Sequence, residues 1–382
     1  MTELNLPGLG RHRLGTPEPL DLPAHPPRSR TAFAAAHVVA DPLGANAPGA
    51  PAAVDWEATL AFRHHLWSLG LGVADAMDTA QRGMGLDWTA TRELIVRSGA
   101  EARAVGGSLV CGVGTDQLTA PGADLAATTA AYEEQLAVVE EAGARPVLMA
   151  SRALATAARG PEDYLDVYGR LIGQAGQPVI LHWLGEMFDP ALAGYWGSAD
   201  LDTATETVLA LIRENRAGID GIKVSLLDAE REIALRRALP EGVRLYTGDD
   251  FDYPRLIRGD ELGHSHALLG VFDPIATRAA AALHALDAGD TDRYDALLAP
   301  TLPLARHLFA APTYHYKTGI VFLAWLAGHQ SHFTMVGGAQ SGRSVAHLVE
   351  LFRLADAAGV LPDPDLAAHR MRQFLAVAGV AA

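Results

Sequence analysis

The chain carries 30 lysines and arginines together, and only two of them, Lys223 and Lys317, are lysines. Where a general positive charge is needed arginine serves, so each lysine calls for a reason of its own. Arginine stays protonated at any working pH, whereas a lysine amine held away from water can lose its proton and attack a carbonyl carbon. Lys223 lies near the tip of the apolar run Gly221-Ile222-Lys223-Val224-Ser225, which reads as a short buried strand and makes Lys223 a candidate Schiff-base former. A strand-end lysine reaching solvent is the competing reading.

Other groups able to move protons or hold oxygens follow similar apolar runs. They are Asp78-Thr79-Ala80-Gln81-Arg82, His182-Trp183-Leu184-Gly185-Glu186, Ser225, and Thr247-Gly248-Asp249-Asp250. Each has a plain structural reading beside the chemical one. Asp249 could cap the following helix, and His182 could be a buried histidine bonded to a backbone carbonyl. His264 and His266 sit before a strand rather than after it, the wrong end for a pocket built from strand C-termini. Tyr314-His315-Tyr316-Lys317 reads as a helix start whose aromatic rings pack on the barrel. Val336-Gly337-Gly338-Ala339-Gln340-Ser341-Gly342 reads as a turn rather than an anion-binding loop, because no Lys-Ser/Thr follows it.

The elements that would position these groups alternate. Apolar runs at 33–39, 73–77, 108–113, 145–149, 178–182, 221–224, 243–247 and 266–271 predict strands. Between them apolar residues recur every three or four positions, as in Leu125, Thr129, Tyr132, Leu136 and Val139. Strands alternating with amphipathic helices predict a parallel sheet, and eight such units without a dinucleotide-type Gly-x-Gly-x-x-Gly turn predict a closed (β/α)8 TIM barrel. Residues 1–30 read as a non-periodic extension, 31–275 as the barrel, and 276–382 as a C-terminal helical bundle with helices over 274–286, 293–310, 317–328, 344–358 and 365–378.

Composition narrows the class. With 49% hydrophobic and 20% charged residues the chain can bury a large core, and a net charge of −15 argues against a nucleic-acid partner. The single cysteine, Cys111, excludes an internal disulfide and fits a reducing compartment. No apolar run has membrane-spanning length and no signal peptide is recognisable, so a cytoplasmic protein is expected.

The order of motifs resembles the dihydrodipicolinate synthase and N-acetylneuraminate lyase family of class I aldolases, from about Thr31 to Gly328. Val110-Cys111-Gly112-Val113-Gly114-Thr115 resembles its third-strand Ala-Gly-Val-Gly pattern, and Pro178-Val179-Ile180-Leu181-His182 its Pro-x-Ile-Leu-Tyr run. Gly221-Ile222-Lys223-Val224-Ser225 resembles Gly-Ile-Lys-x-Ser, Thr247-Gly248-Asp249-Asp250 resembles Ser-Gly-Asp-Asp, and Pro312 to Lys317 resembles Pro-x-x-x-Lys with one residue added. The resemblance implies Lys223 as the Schiff-base residue, a helical bundle after the barrel, and a homodimer or homotetramer. Two departures stand out: Asp78-Thr79-Ala80 replaces the carboxylate-binding Thr-Thr-Gly loop, and His182 replaces the acid/base tyrosine.

The first expectation is therefore a cofactor-free lyase acting on a small carbonyl compound, either a 2-oxo acid or a sugar derivative. Lys223 would form the imine and His182 would move protons, its ordinary pKa lying near neutrality. Asp78, Thr79, Ser225 and Asp249 would contact substrate oxygens, with Glu186, His264 and His266 as further candidates, and Arg82 could hold a carboxylate. A second expectation is a metal-dependent sugar isomerase with Asp78, His182, Glu186 and His264 or His266 around a divalent cation. A third is a descendant that binds a metabolite without turnover.

Overall fold

Runs too short for helices and apolar on both faces belong in a buried parallel sheet. In a computed structural model of the chain, which describes residues 2–23, 25–118 and 122–380, they close into a barrel. A hairpin of β1 (Glu3–Leu6) and β2 (Gly10–Arg13) precedes it. The barrel strands are β3 (Ala32–Ala35), β4 (Gly72–Asp75), β5 (Leu109–Val113), β6 (Arg145–Leu148), β7 (Val179–Leu184), β8 (Ile219–Ser225), β9 (Arg244–Thr247) and β10 (His266–Leu269). They pair in chain order, all parallel, and β10 closes on β3. The eight expected strands are all present, shifted by a few residues at their ends.

Helices α1 (Trp56–Ser68), α2 (Trp88–Val105), α3 (Leu125–Glu141), α4 (Arg152–Ala157), α5 (Pro161–Gln174), α6 (Leu201–Glu214), α7 (Ala229–Ala238) and α8 (Tyr253–Arg258) lie between the strands. Five of the chain's 45 acidic residues cap their starts. Asp55, Asp87, Asp124, Asp200 and Asp228 each accept a bond from the backbone N–H three residues on, satisfying a donor that a helix start leaves open.

Two apolar layers follow from the period of two along each strand. Phe33, Val110, Val147, Ile180, Tyr246 and Leu268 pack together inside the barrel, while their neighbours Ala34, Cys111, Leu148, Leu181 and Leu269 belong to the layer against the helices. In β8 the helix-facing residues are Ile222 and Val224. Lys223 and Ser225 alternate with them and point inward.

The C-terminal region holds α9 (Ala276–Asp287), α10 (Thr291–Leu298), α11 (Thr301–Leu308), α12 (Tyr316–Leu326), α13 (Val345–Ala357) and α14 (Pro364–Val377). The single helix expected over 293–310 is two, broken at Pro300, whose missing N–H cannot continue the ladder. α12 is buried along its whole length and forms the axis of the bundle. The 336–342 segment, expected as a plain turn, is a short 3-10 stretch kinked at Gly337 and Gly338, φ 65° and 70°, and Val336 O accepts from Gln81 Nε2 at 3.0 Å.

The N-terminal segment is more ordered than its composition suggests. Leu4 and Leu6 alternate into the core. The hairpin docks on the bundle, with His12 Nε2 2.9 Å from Asp356 Oδ2 and Arg372 Nη2 donating to Glu3 O at 2.6 Å. Among the described residues no helix is long and apolar enough to cross a membrane.

Candidate active site

Lys223 is level with His182 on β7 and Tyr246 on β9, and all three face the barrel interior. Its stem fits because residue 248, just past β9, is glycine. A Cβ there would come within 2.8 Å of Lys223 Cε and 2.1 Å of Ser225 Oγ, so any other residue would displace the amine. Lys223 is 8% exposed. Among the described residues its Nζ makes no hydrogen bond and has no carboxylate oxygen within 4.0 Å. Burial lowers its pKa, while the more distant charges of Asp78 and Asp250 act to raise it. Burial thus makes the charged form of this amine less favourable than that of an exposed lysine.

Asp250, not Asp249, is the carboxylate that answers it. Asp249 Oδ1 accepts from the N–H groups of Phe251 and Asp252 at 2.8 and 3.0 Å, which makes it a turn former. Asp250 accepts from Val271 N at 2.9 Å, and burial raises its pKa to about 7 against the opposing pull of that N–H and of Lys223. Nothing in Thr247-Gly248-Asp249-Asp250 alone says which aspartate turns inward.

His182 is fully buried, its Nε2 3.4 Å from Ser225 Oγ and its Nδ1 without a partner. Burial first, and then the Lys223 charge, push its pKa well below the usual histidine range. The ordinary histidine value near neutrality therefore does not hold for His182, whose burial favours the neutral imidazole. Thr79 lies opposite, its Oγ1 3.0 Å from Tyr316 OH. Tyr316 descends from the first turn of α12, stacks on Phe309 at 4.5 Å, and is held protonated by burial and by Asp78. It was expected only as packing; the missed signal is a tyrosine next to the second of two lysines.

Lys317 follows it and is also buried. Its Nζ donates to Tyr314 O at 3.3 Å and lies 3.4 Å from Met84 Sδ, and burial, opposed by Asp78, lowers its pKa to about 8. Asp78 is half-buried on a single 3-10 turn, Asp78–Ala80, and acts on both lysines. It lines a cleft of about 220 Å³ with Thr115, Ser151, Arg152 and Asp189.

Arg82 cannot take the role of carboxylate clamp. Its Nε and Nη2 pair with both oxygens of Asp116, Nη2 also donates to Gln135 Oε1 at 2.6 Å, and Nη1 donates to Ala76 O at 3.1 Å and Gly112 O at 2.8 Å. A guanidinium has five N–H groups, and all five are engaged.

The remaining candidates lie elsewhere. Glu186 is exposed and borders a separate depression of about 160 Å³ beside Met187 and Leu226. His266 opens β10 at the other end of the barrel, where its Nδ1 accepts from Thr31 N at 2.9 Å and its ring lies 5.2 Å from that of His264. Burial drives both rings to about 4, keeping them neutral. The metal set of Asp78, His182, Glu186 and His264 or His266 is thus split between ends and faces. Among the described residues no group of three or more His, Cys, Asp or Glu could hold a metal ion.

A profile of the family described as "Protein of unknown function (DUF993)" matches residues 6–380. The chain belongs to that family. Among solved structures it is similar to dihydrodipicolinate synthase from Aquifex aeolicus, with a TM-score of 0.66 and 14% identity over 87% of this chain and 98% of that one. The synthase from Thermotoga maritima gives 0.64 and 12% over 87% and 99%. A prophage protein of the dihydrodipicolinic acid synthase family from E. coli K12, solved in complex with pyruvate, gives 0.63 and 14% over 92% and 99%. A comparison with curated proteins finds no match. At these identities the likeness concerns the fold alone.

Proposed function

We propose that the chain is a Schiff-base lyase of the class I aldolase type, acting through Lys223 on an uncharged, sugar-derived carbonyl compound. The observation that carries this reading is the Lys223 amine: buried, without a hydrogen bond among the described residues, lowered in pKa, and inside the C-terminal half of a closed barrel. Lys223 Nζ, once neutral, adds to the carbonyl carbon, and loss of water leaves an iminium. A base takes the proton of the hydroxyl on the next carbon but one, and that carbon leaves as an aldehyde as its bond to the adjacent carbon breaks. The electron pair of that bond passes into the iminium to give an enamine, which regains a proton at carbon. Water returns the ketone and the free amine.

Proton movement falls to Asp250, whose pKa of about 7 lets it take a proton from the Lys223 ammonium and return one near neutral pH. Neutral His182 orients Ser225, and the Thr79–Tyr316 pair offers hydroxyls to substrate oxygens. Two observations favour an uncharged polyhydroxy compound over a 2-oxo acid. Every donor of Arg82 is used internally, and the negative charges of Asp78 and Asp250 act on the amine from beyond ion-pair distance, a field that suits hydroxyl donors and disfavours an anion. The enzyme is a cytoplasmic homodimer or homotetramer in this proposal and uses no cofactor.

Borohydride reduction in the presence of sugar-derived ketones and, separately, of 2-oxo acids tests the reading. Mass labelling at Lys223 with the former and little with the latter is expected. Labelling that persists in Lys223→Ala removes the imine assignment, and preferential labelling by pyruvate removes the substrate class.

A further inference from the structure

A larger cavity lies away from Lys223. It encloses about 590 Å³ between α1, the start of α9 and the segment after α13, under a strap formed by Thr16–Leu20. That volume is within the range of small-molecule sites, roughly 300–1,000 Å³. Its walls are largely apolar, with Pro17, Leu20, Ile275, Val360 and Pro362 among them.

Two features make it more than a packing gap. His65 and His329 face each other with ring centroids 4.5 Å apart, and neither ring makes a hydrogen bond among the described residues. Burial lowers both, His329 to about 3, so the pair presents uncharged rings. At the other side stands Arg278. It has no carboxylate oxygen within 4.0 Å among the described residues, its Nε is buried without a partner, and its one hydrogen bond there is from Nη1 to Leu297 O at 3.3 Å. The neighbouring carboxylates are committed elsewhere: Glu18 pairs with Arg293 at 2.5 Å, Asp273 with His37 at 2.7 Å, and Asp356, on the adjoining space, with His12 at 2.9 Å. Arg278 also lines the adjoining space of about 400 Å³ beneath the same strap, together with Thr16 and Gly359. Among the described residues Arg278 is thus a guanidinium with no carboxylate in ion-pair contact, Glu18 acting on it only from farther away, beside an apolar chamber.

We propose that this cavity is a second binding site, independent of the Lys223 chemistry, for a small carboxylic acid with an apolar ring or short chain. The carboxylate pairs with Arg278, and the apolar body lies between the prolines and the His65–His329 pair. A charge-assisted bidentate contact supplies the selectivity for the acid over its uncharged analogue.

Calorimetric titration of the full chain with benzoate, indole-3-acetate and octanoate, each beside its primary amide, tests the proposal. At least one acid is expected to bind about 10-fold or more tightly than its amide, a difference of about 1.4 kcal/mol. Arg278→Gln abolishes that preference, and Val360→Trp, which fills the chamber, abolishes binding, while Lys223→Met leaves both unchanged. Equal affinity of acid and amide, no saturable binding by any acid, or acid preference that survives Arg278→Gln would overturn it. Arg278→Gln removes only a partly exposed side chain and keeps the test decisive if Val360→Trp fails to fold.

Discussion

Two inward-facing clusters of the barrel, one around Asp220 and one around Lys223, treat buried charge in opposite ways. At the N-terminal end Asp220 accepts from Arg145 Nη1 at 2.7 Å, Arg244 Nη1 at 2.5 Å and Tyr246 OH at 2.6 Å, and His266 packs on the Tyr246 ring at 5.7 Å. The carboxylate and the two guanidiniums there answer each other within hydrogen-bond reach, although Arg145 Nε is left without a partner. Gly221 makes the arrangement possible, since a Cβ would come within 2.8 Å of the Tyr246 ring. At the C-terminal end Lys223 has no such partner, Asp250 is bonded only to a backbone N–H among the described residues, and His182 Nδ1 is unpartnered. A satisfied network contributes stability, whereas buried groups left short of partners cost it and are kept where chemistry needs them.

That contrast can be broken at both ends. Asp220→Ala strands Tyr246 OH and two guanidiniums, and is expected to destabilise the fold by about 2–3 kcal/mol in urea unfolding. The figure sits below that for a fully buried pair because Arg145 and Arg244 keep 33% and 42% of their side-chain surface in solvent. Lys223→Met is expected to abolish reductive labelling yet leave the melting temperature unchanged or raised, since it removes a buried amine without breaking a bond. Equal destabilisation by the two variants would erase the distinction.

Behind the mouth, Glu232 sharpens it. Its carboxylate accepts from Ser265 Oγ at 2.8 Å and Thr247 Oγ1 at 2.9 Å, and burial raises its pKa to about 8. The folded state thus holds this proton more tightly than the unfolded chain does. The stabilisation is complete below the ordinary glutamate range and is lost as pH rises through about 8. Glu232→Gln should match the wild type in melting at pH 5 and exceed it at pH 9, by about 1–3 kcal/mol. A wild-type protein that loses no stability between those values contradicts the assignment.

The smallest expected effect concerns Asp250. Its negative charge helps hold the proton on Lys223, so Asp250→Asn should move the pH profile of reductive labelling to lower pH, by about one unit. A shift to higher pH would mean that Asp250 does not face the amine electrostatically.

The barrel was legible in the sequence because a buried parallel strand must be apolar on both faces, and the inward face of Lys223 follows once Ile222 and Val224 are assigned to the helices. The hairpin over residues 3–13 was not, since its only signal is Leu4 and Leu6 alternating with polar neighbours in a segment otherwise rich in proline and arginine. The fate of Arg82 was hidden for another reason: Asp116 and Gln135, which saturate it, come from the next loop and helix, and spacing along the chain carries no record of that meeting. Asp249 and Asp250 differ by one position, and only the fold decides which forms the turn and which faces the amine. Tyr316 reached the site from a helix whose sequence reads as packing.

The two-lysine composition offers the most direct measurement of the central claim. In protein labelled with 13C-lysine, the two side-chain Cε signals can be followed through a pH titration, with Lys223→Arg assigning them. Both amines are expected to titrate below the ordinary lysine value of about 10.4, Lys317 near 8 and Lys223 also lowered, with the Lys223 signal lost on reduction with substrate. A Lys223 amine that titrates at the ordinary value would mean it is solvated, and the Schiff-base reading would not stand.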